Sequence, residues 1–192
     1  MITALARRAA ALLACAFLAA CAINPTDNQK EASRKDLAEA SERTLERLYR
    51  DFPGSRRHVE GAYGHATFTN YGLKIFVVGG GSGAGIAVAR ESGARTYMRM
   101  VEAQAGLGFG ARRFQLVWVF ETKAAFDQFV DSGWELGAQA TAAAARKGEG
   151  AAVEGALSVS RGVWIYQMTD TGIALELAAK GTKYFKDRDL NP

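Results

Sequence analysis

Two glycine-rich stretches are the parts of the sequence most suggestive of phosphate chemistry. The first spans residues 79–85, and a phosphate loop of this kind needs a Lys and a Ser or Thr after its last glycine to reach the phosphates and magnesium. Ile86 and Ala87 stand there instead. The second, residues 106–111, fits a loose dinucleotide pattern, but that pattern must open a helix and the following residues read as a strand. Neither stretch predicts nucleotide binding.

Nucleophilic and acid–base side chains form no recognisable constellation. Ser82 lacks the glycine two residues later that a nucleophile elbow requires. His58 and His65 are seven residues apart without further ligands at zinc spacing, so we expect both to be solvated or hydrogen-bonded. Glu135, Glu154 and Glu176 could serve as general acids, but nothing in the sequence pairs them into acid and base roles. We expect a non-enzymatic protein with no metal site and no cofactor.

Cys21 is the residue with the clearest chemistry. It follows Leu18, Ala19 and Ala20, and these four residues resemble the lipobox of bacterial lipoproteins, whose cysteine sulfur carries diacylglycerol. Arg7 and Arg8, followed by the apolar residues 9–20, read as an export signal too short to span about 30 Å of hydrocarbon. We predict cleavage before Cys21, followed by its modification with fatty acyl chains such as palmitate.

Lipidation at Cys21 predicts a membrane-anchored protein. Several acyl chains, at about 0.8 kcal/mol per buried methylene, hold a protein firmly where one chain is marginal. Ala22 and Ile23 follow the cysteine with no Asp beside it, which resembles an outer-membrane sorting signal. We therefore expect an outer-membrane, periplasm-facing protein with a signal peptide at 1–20, a tether at 21–29 and one domain at 30–192. Cys15 leaves with the signal, so no cysteine remains for a disulfide, a metal or a nucleophile.

Composition is typical of one globular domain. The chain has 192 residues, of which 48% are hydrophobic and 23% charged. Its formal charge is +4, and removal of Arg7 and Arg8 leaves 22 basic residues against 20 acidic ones. Because this balance comes without a dense basic run, we expect no nucleic-acid partner.

Residues 29–51 have the pattern of an amphipathic helix. Asn28 is the expected cap, and Pro53 and Gly54 are the expected stop. The face at helical spacing consists of Leu37, Ala40, Ser41, Thr44, Leu45, Leu48 and Phe52. This helix either packs on the body or lies on lipid headgroups, and its mixed charges favour packing. A second, weaker helical segment covers residues 55–66.

The remaining sequence predicts paired strands and one short helix. Strands are expected at 73–78, 85–90, 96–101, 114–120, 134–144, 163–168 and 173–184. Thr122 caps the short helix and Gly133 ends it. The expected core anchors are Phe114, Trp118, Phe126, Phe129 and Trp134. The predicted fold class is α+β: a curled, mostly antiparallel β-sheet or barrel-like body with N-terminal helices and one inserted helix.

Many glycines and alanines lie inside these strands, in the segments 83–89, 106–110 and 137–140. A strongly bent sheet, bulges, or the close approach of another backbone would each explain them, and missing side chains would leave a groove. Close packing of a helix against the small residues is the other explanation.

From about residue 66 onward the order of segments resembles the SYLF domain. The most specific match is residues 132–137, Ser-Gly-Trp-Glu-Leu-Gly, preceded by an aromatic strand and short helix at 114–129. Residues 79–85, 106–111 and 172–183 also look like family segments. The chain departs from the family before Gly79, where members commonly show a Phe-Pro pair and a Lys-Ala-Gly-Phe run, so the lipid-contacting region of eukaryotic members does not transfer.

The resemblance implies lipid binding as the activity. Actin bundling needs a cytoplasm containing actin, and phosphoinositides are scarce in most bacteria, so phospholipid or fatty-acyl ligands are expected instead. The candidate headgroup contacts are Arg112, Arg113, Lys180 and Lys183, because guanidinium and ammonium groups suit phosphate. The alternative is a structural or protein-interaction module that binds an envelope protein through its exposed sheet.

Overall fold

The computed structural model describes residues 25–75, 78–105, 110–136, 155–169, 172–173 and 180–192. The export segment and residues 21–24 of the tether, including Cys21, lie outside the described residues, as do most of the predicted strand at 134–144 and half of the one at 173–184. Among the described helices, none combines the length and the apolar character needed to cross a membrane.

The three described helices are α1 (Asp27–Asp51), α2 (Gly54–Gly61) and α3 (Lys123–Ser132). Thr26, and not Asn28, caps α1: its hydroxyl accepts from the Gln29 backbone N–H, and the Gln29 side chain accepts from the Thr26 N–H. This reciprocal pair satisfies two free backbone donors, which Asn28 inside the first turn cannot do. The predicted second helix is shorter than expected, because residues 64–66 pair within the sheet.

The described strands form one curled, half-barrel sheet in which every pairing is antiparallel, confirming the predicted fold class. They are β1 (Gly64–Ile75), β2 (Val78–Ala89), β3 (Arg95–Ala105), β4 (Gly110–Phe120), β5 (Trp134–Leu136), β6 (Leu157–Ser160), β7 (Val163–Thr169), β8 (Gly172–Ile173) and β9 (Lys180–Lys186). Their order is β5-β9-β3-β2-β1-β4-β7-β6, with β8 also paired to β7. From β1 to β3, strands that are consecutive in the chain thus pair with each other as a meander, whereas the last strand, β9, pairs with β3.

The inner face of the sheet, defined as the face that contacts α3, carries an aromatic core. Trp118 and Phe129 have ring centroids 5.0 Å apart, and Phe120 lies 4.8 Å from Phe129. Tyr184 joins β9 to the cluster, 4.9 Å from Trp118. Four of the five expected anchors are buried, and Trp134 is half-buried against the same cluster. The cluster fixes α3 to strands that are distant in sequence.

Two glycines of β2 allow its neighbours to pack closely. A Cβ added to Gly85 would lie 2.5 Å from Cδ1 of Phe68, and one on Gly83 would lie 2.8 Å from Cγ of Met100. The nearest atom in each case is a backbone oxygen of β1, that of Thr67 beside Gly85 and that of Thr69 beside Gly83. Backbone and side-chain atoms of the adjacent strands thus leave no room for a Cβ at either position. At these two positions the small residues serve strand packing and not helix packing.

The outer face, opposite α3, is covered in part by α1 and α2. Leu48 of α1 packs over Val117 and Val119 of β4. Beside them Arg47 donates to the Gln115 side chain over 2.9 Å and to the Thr169 carbonyl, and Gln115 donates to the Thr44 hydroxyl. The helix therefore packs on the body, as its mixed charges indicated.

Both histidines lie where the α2 region meets the outer face. His58 of α2 pairs through Nδ1 with the Tyr166 hydroxyl at 2.8 Å, and its Nε2 is buried without a partner among the described residues. His65 lies in β1. Burial lowers the pKa of His58, with Glu121 opposing the shift, and burial lowers the pKa of His65 to about 4. For His58 the expectation of a solvated or hydrogen-bonded side chain thus holds at Nδ1 and is wrong at Nε2.

Replacing Phe129 by Ala is expected to lower the free energy of unfolding by about 3–5 kcal/mol, because a fully buried ring is removed from the aromatic core. Urea denaturation measures the change. Val101→Ala, at a side chain 44% exposed, is the matched control and should change stability by less than about 0.5 kcal/mol. Equal losses in the two variants would contradict the assignment of this core.

Acid is expected to destabilise the fold partly through His65. In the unfolded chain histidine binds a proton below about pH 6.5, whereas folded His65 resists protonation down to about pH 4. The stability that neutral His65 provides is therefore present above pH 6.5 and is lost as the pH falls from 6.5 to 4. Urea midpoints across this range should fall less steeply for His65→Gln than for the wild type, and parallel curves would disprove the role of His65.

Candidate functional site

Five exposed side chains form one cross-strand row on the outer face, beyond the part that α1 covers. The strand register places Lys183 beside Val101, Val101 beside Ser82, Ser82 beside Tyr71 and Tyr71 beside Arg113. We call these five residues the outer row. Tyr71 is 61% and Val101 44% exposed, and they are the large hydrophobic side chains most open to solvent in the described chain.

The outer row has a cation at each end, and its three central residues are the apolar Val101 and Tyr71 with the polar Ser82 between them. Lys183 on β9 and Arg113 on β4 are four strands apart, roughly 19 Å at about 4.8 Å per strand. Val101 and Tyr71 lie between them, at positions that no described helix covers. Exposed apolar side chains flanked by cations are suited to contact a surface with an apolar interior and negatively charged groups on its outside.

A groove of about 480 Å³ lies beside the outer row, between α1 and the outer face of β1 to β4. We call it the helix groove. Its lining consists of Asp36, Leu37, Ala40 and Arg43 from α1 and Thr69, Tyr71, Ser82, Gly83, Ala84, Arg99 and Arg113 from the strands. Tyr71, Ser82 and Arg113 belong to both features, so the groove opens directly onto the outer row.

The structure brings two of the four predicted lipid contacts into this region. Arg113 is exposed, and its guanidinium lies over the Tyr71 ring at 5.4 Å from the centroid. Lys183 occupies the other end of the outer row. For Arg112 and Lys180 only the backbone is described, pairing with Gly72 and Gln104 respectively, and Cys21 lies outside the described residues.

Lys183, at one end of the outer row, forms an ion pair with Glu135. Its Nζ lies 2.8 Å from Oε1 of Glu135 on β5. This hydrogen bond and the charge of Lys183 lower the pKa of Glu135. A second, smaller groove of about 360 Å³ adjoins the pair, with Val101, Ala103 and Gly181 among its lining residues. Both partners are exposed, so the ion pair contributes little stability and Lys183 can exchange it for another anion.

Sequence reasoning missed Tyr71, Val101 and Ser82, as well as the groove arginines Arg43 and Arg99. An isolated exposed Tyr or Val has no distinctive pattern in a sequence. One signal was available, because side chains alternate between the two faces along each strand. Residues 71, 82, 101 and 113 fall on one face once the strand register is known. In the part of the chain that the structure describes, no three His, Cys, Asp or Glu side chains lie together in a position to hold a metal ion.

Comparison with known proteins gives two matches. The family model described as Ysc84, a Las17-binding protein actin regulator, matches residues 101–192. A curated protein named Beta cell expansion factor A, from Aeromonas veronii, is 32% identical over 170 residues. That alignment covers 88% of this chain and 63% of the relative, so the chain spans less than two thirds of the length of the curated protein it matches.

Proposed function

Through residues 101–192 the chain belongs to the Ysc84 family, also called the SYLF family, and from this premise we propose that it is a non-catalytic phospholipid-binding protein. The resemblance first recognised at residues 132–137 and 172–183 is thereby confirmed. The binding surface in this proposal is the outer row together with the helix groove.

The outer row is the observation that carries the proposal. Tyr71 and Val101 have large apolar areas in water although no described element covers them, and tyrosine is favoured at membrane interfaces because its ring is apolar and its hydroxyl is polar. Lys183 and Arg113 are placed to contact phosphates on either side. A basic residue near an anionic membrane contributes about 1 kcal/mol, so this surface by itself binds weakly.

A lipid anchor would allow this weakly binding surface to stay in contact with the membrane. Under this proposal, acyl chains on Cys21 hold the protein at the periplasmic face of the bacterial outer membrane. Anchoring raises the effective lipid concentration at the outer row, and a second membrane signal makes binding stable where one is marginal. The proposed ligands are phospholipids or fatty acyl chains, and the protein needs no cofactor.

A second candidate function is a protein-interaction module of the cell envelope. The family description names a protein partner, Las17, and an exposed apolar strip with cations at its ends also suits an acidic protein surface. Native mass spectrometry of the purified protein separates the two functions. Co-purified lipid supports lipid binding, and a stable protein assembly without lipid supports the alternative.

Exchanging Tyr71 and Val101 for Ser should weaken binding to vesicles of phosphatidylcholine and phosphatidylglycerol by roughly tenfold or more, because the apolar centre of the outer row is lost. The mature chain carrying Cys21→Ser is used, so that no lipid anchor hides the effect. Sedimentation with vesicles measures the partition coefficient, and urea midpoints verify that the variant is folded.

The cation at the end of the row has a matched control on the same strand. Lys183 and Lys186 are both exposed, and each lies 2.8 Å from a carboxylate, but only Lys183 belongs to the outer row. Lys183→Gln is expected to reduce vesicle binding and Lys186→Gln to leave it unchanged. Equal effects of the two substitutions, or no effect of the Tyr71 and Val101 exchange, would rule out this surface.

A further inference from the structure

The helix groove contains charges of both signs. Arg43, Arg99 and Arg113 line it together with one carboxylate, Asp36. Arg43 lies 3.5 Å from Glu39, and Arg99 lies 3.9 Å from Asp187, which are both long contacts for an ion pair. Among the described residues, neither Arg113 nor Asp36 has an oppositely charged partner. A purely anionic ligand would match the arginines but would place a second negative charge beside Asp36.

We propose that the helix groove binds a phosphoethanolamine headgroup, with the phosphodiester on the guanidinium groups of Arg99 and Arg113 and the primary ammonium on the carboxylate of Asp36. This inference rests on the proposed function and names the lipid class that the site selects. The headgroup carries its two opposite charges on one short chain, and the groove carries the Asp36 carboxylate on its helix wall and the guanidinium groups of Arg99 and Arg113 on its sheet wall. The Thr69 and Ser82 hydroxyls are further donors for phosphate oxygens.

The groove favours ethanolamine over choline because only the ethanolamine ammonium carries N–H donors. A primary ammonium donates N–H hydrogen bonds to a carboxylate, whereas a quaternary ammonium has no N–H and is bound best over an aromatic face. The aromatic ring at this site, Tyr71, already has the Arg113 guanidinium over it. Asp36 is exposed, so its contribution is that of a surface ion pair, and we expect a preference of roughly threefold to fivefold.

The size and position of the groove also fit a lipid headgroup. Its volume of about 480 Å³ is in the range of small-molecule sites. Leu37, Ala40 and Ala84 give it an apolar wall for the glycerol carbons. Because the groove opens onto the outer row, a headgroup can enter it while the acyl chains stay in the membrane beneath Tyr71 and Val101.

The test measures headgroup preference in the mature chain carrying Cys21→Ser. Phosphatidylcholine vesicles containing phosphatidylethanolamine are compared with pure phosphatidylcholine vesicles, and soluble glycerophosphoethanolamine is titrated by NMR against glycerophosphocholine. The wild type is expected to prefer ethanolamine in both assays. Asp36→Asn should abolish that preference, and Arg99→Gln should weaken binding of both phosphodiesters. Glu42→Gln, at an exposed acidic position of α1 outside the groove lining, is the control and should behave as the wild type.

The outcomes separate this inference from the proposed function. Vesicle binding that depends on Tyr71 and Val101 but shows no ethanolamine preference, or a preference that survives Asp36→Asn, overturns the headgroup assignment alone. Binding of glycerophosphoethanolamine without binding to any vesicle supports the groove chemistry with a soluble ligand and overturns the membrane function. Binding to neither overturns both.

Discussion

The contact between α3 and the inner face of the sheet is the interaction on which the rest of the structure depends. Phe129 meets Trp118 and Phe120 from β4 and Tyr184 from β9. These two strands are separated in the sheet by β3, β2 and β1, so one helix ties both sides of the half-barrel to a single cluster. The side chains of Phe68 and Met100 on this face lie close to β2, which has glycine at the two positions where they approach it.

Incomplete coverage of the outer face creates the candidate site. The C-terminal half of α1 packs with Leu48 over the sheet, and Arg47 and Thr44 add polar contacts to Gln115. Nearer the N-terminus of the helix, Arg34 donates to the Leu190 carbonyl over 2.9 Å and lies 5.8 Å from the centroid of the Tyr97 ring. The helix groove lies between these two sets of contacts, along residues 36–43 of α1, and no described element covers the apolar side chains of the outer row beside it.

The family match and the site divide the chain differently. The matched residues begin at Val101 and include Arg113 and Lys183, whereas Tyr71, Ser82 and the whole of α1 precede them. The proposed headgroup site therefore combines residues from both parts of the chain. The departure from the family pattern before Gly79 falls in the part that precedes the matched residues, as do Tyr71 and α1.

The sequence by itself determined several helices and strands, because side-chain spacing and capping residues act within a few positions along the chain. The spacing of Phe126, Phe129 and Val130 between Thr122 and Gly133 predicted α3 and its ends, and the alternation from Phe114 to Phe120 predicted β4. The sequence also singled out Arg113 and Lys183 by charge. Only the tertiary structure decided that they lie in one row with Tyr71 and Val101, since that depends on the register of five strands and on β9 returning to β3. Register follows from packing the inner core, and a one-residue slip would move each of these side chains to the other face.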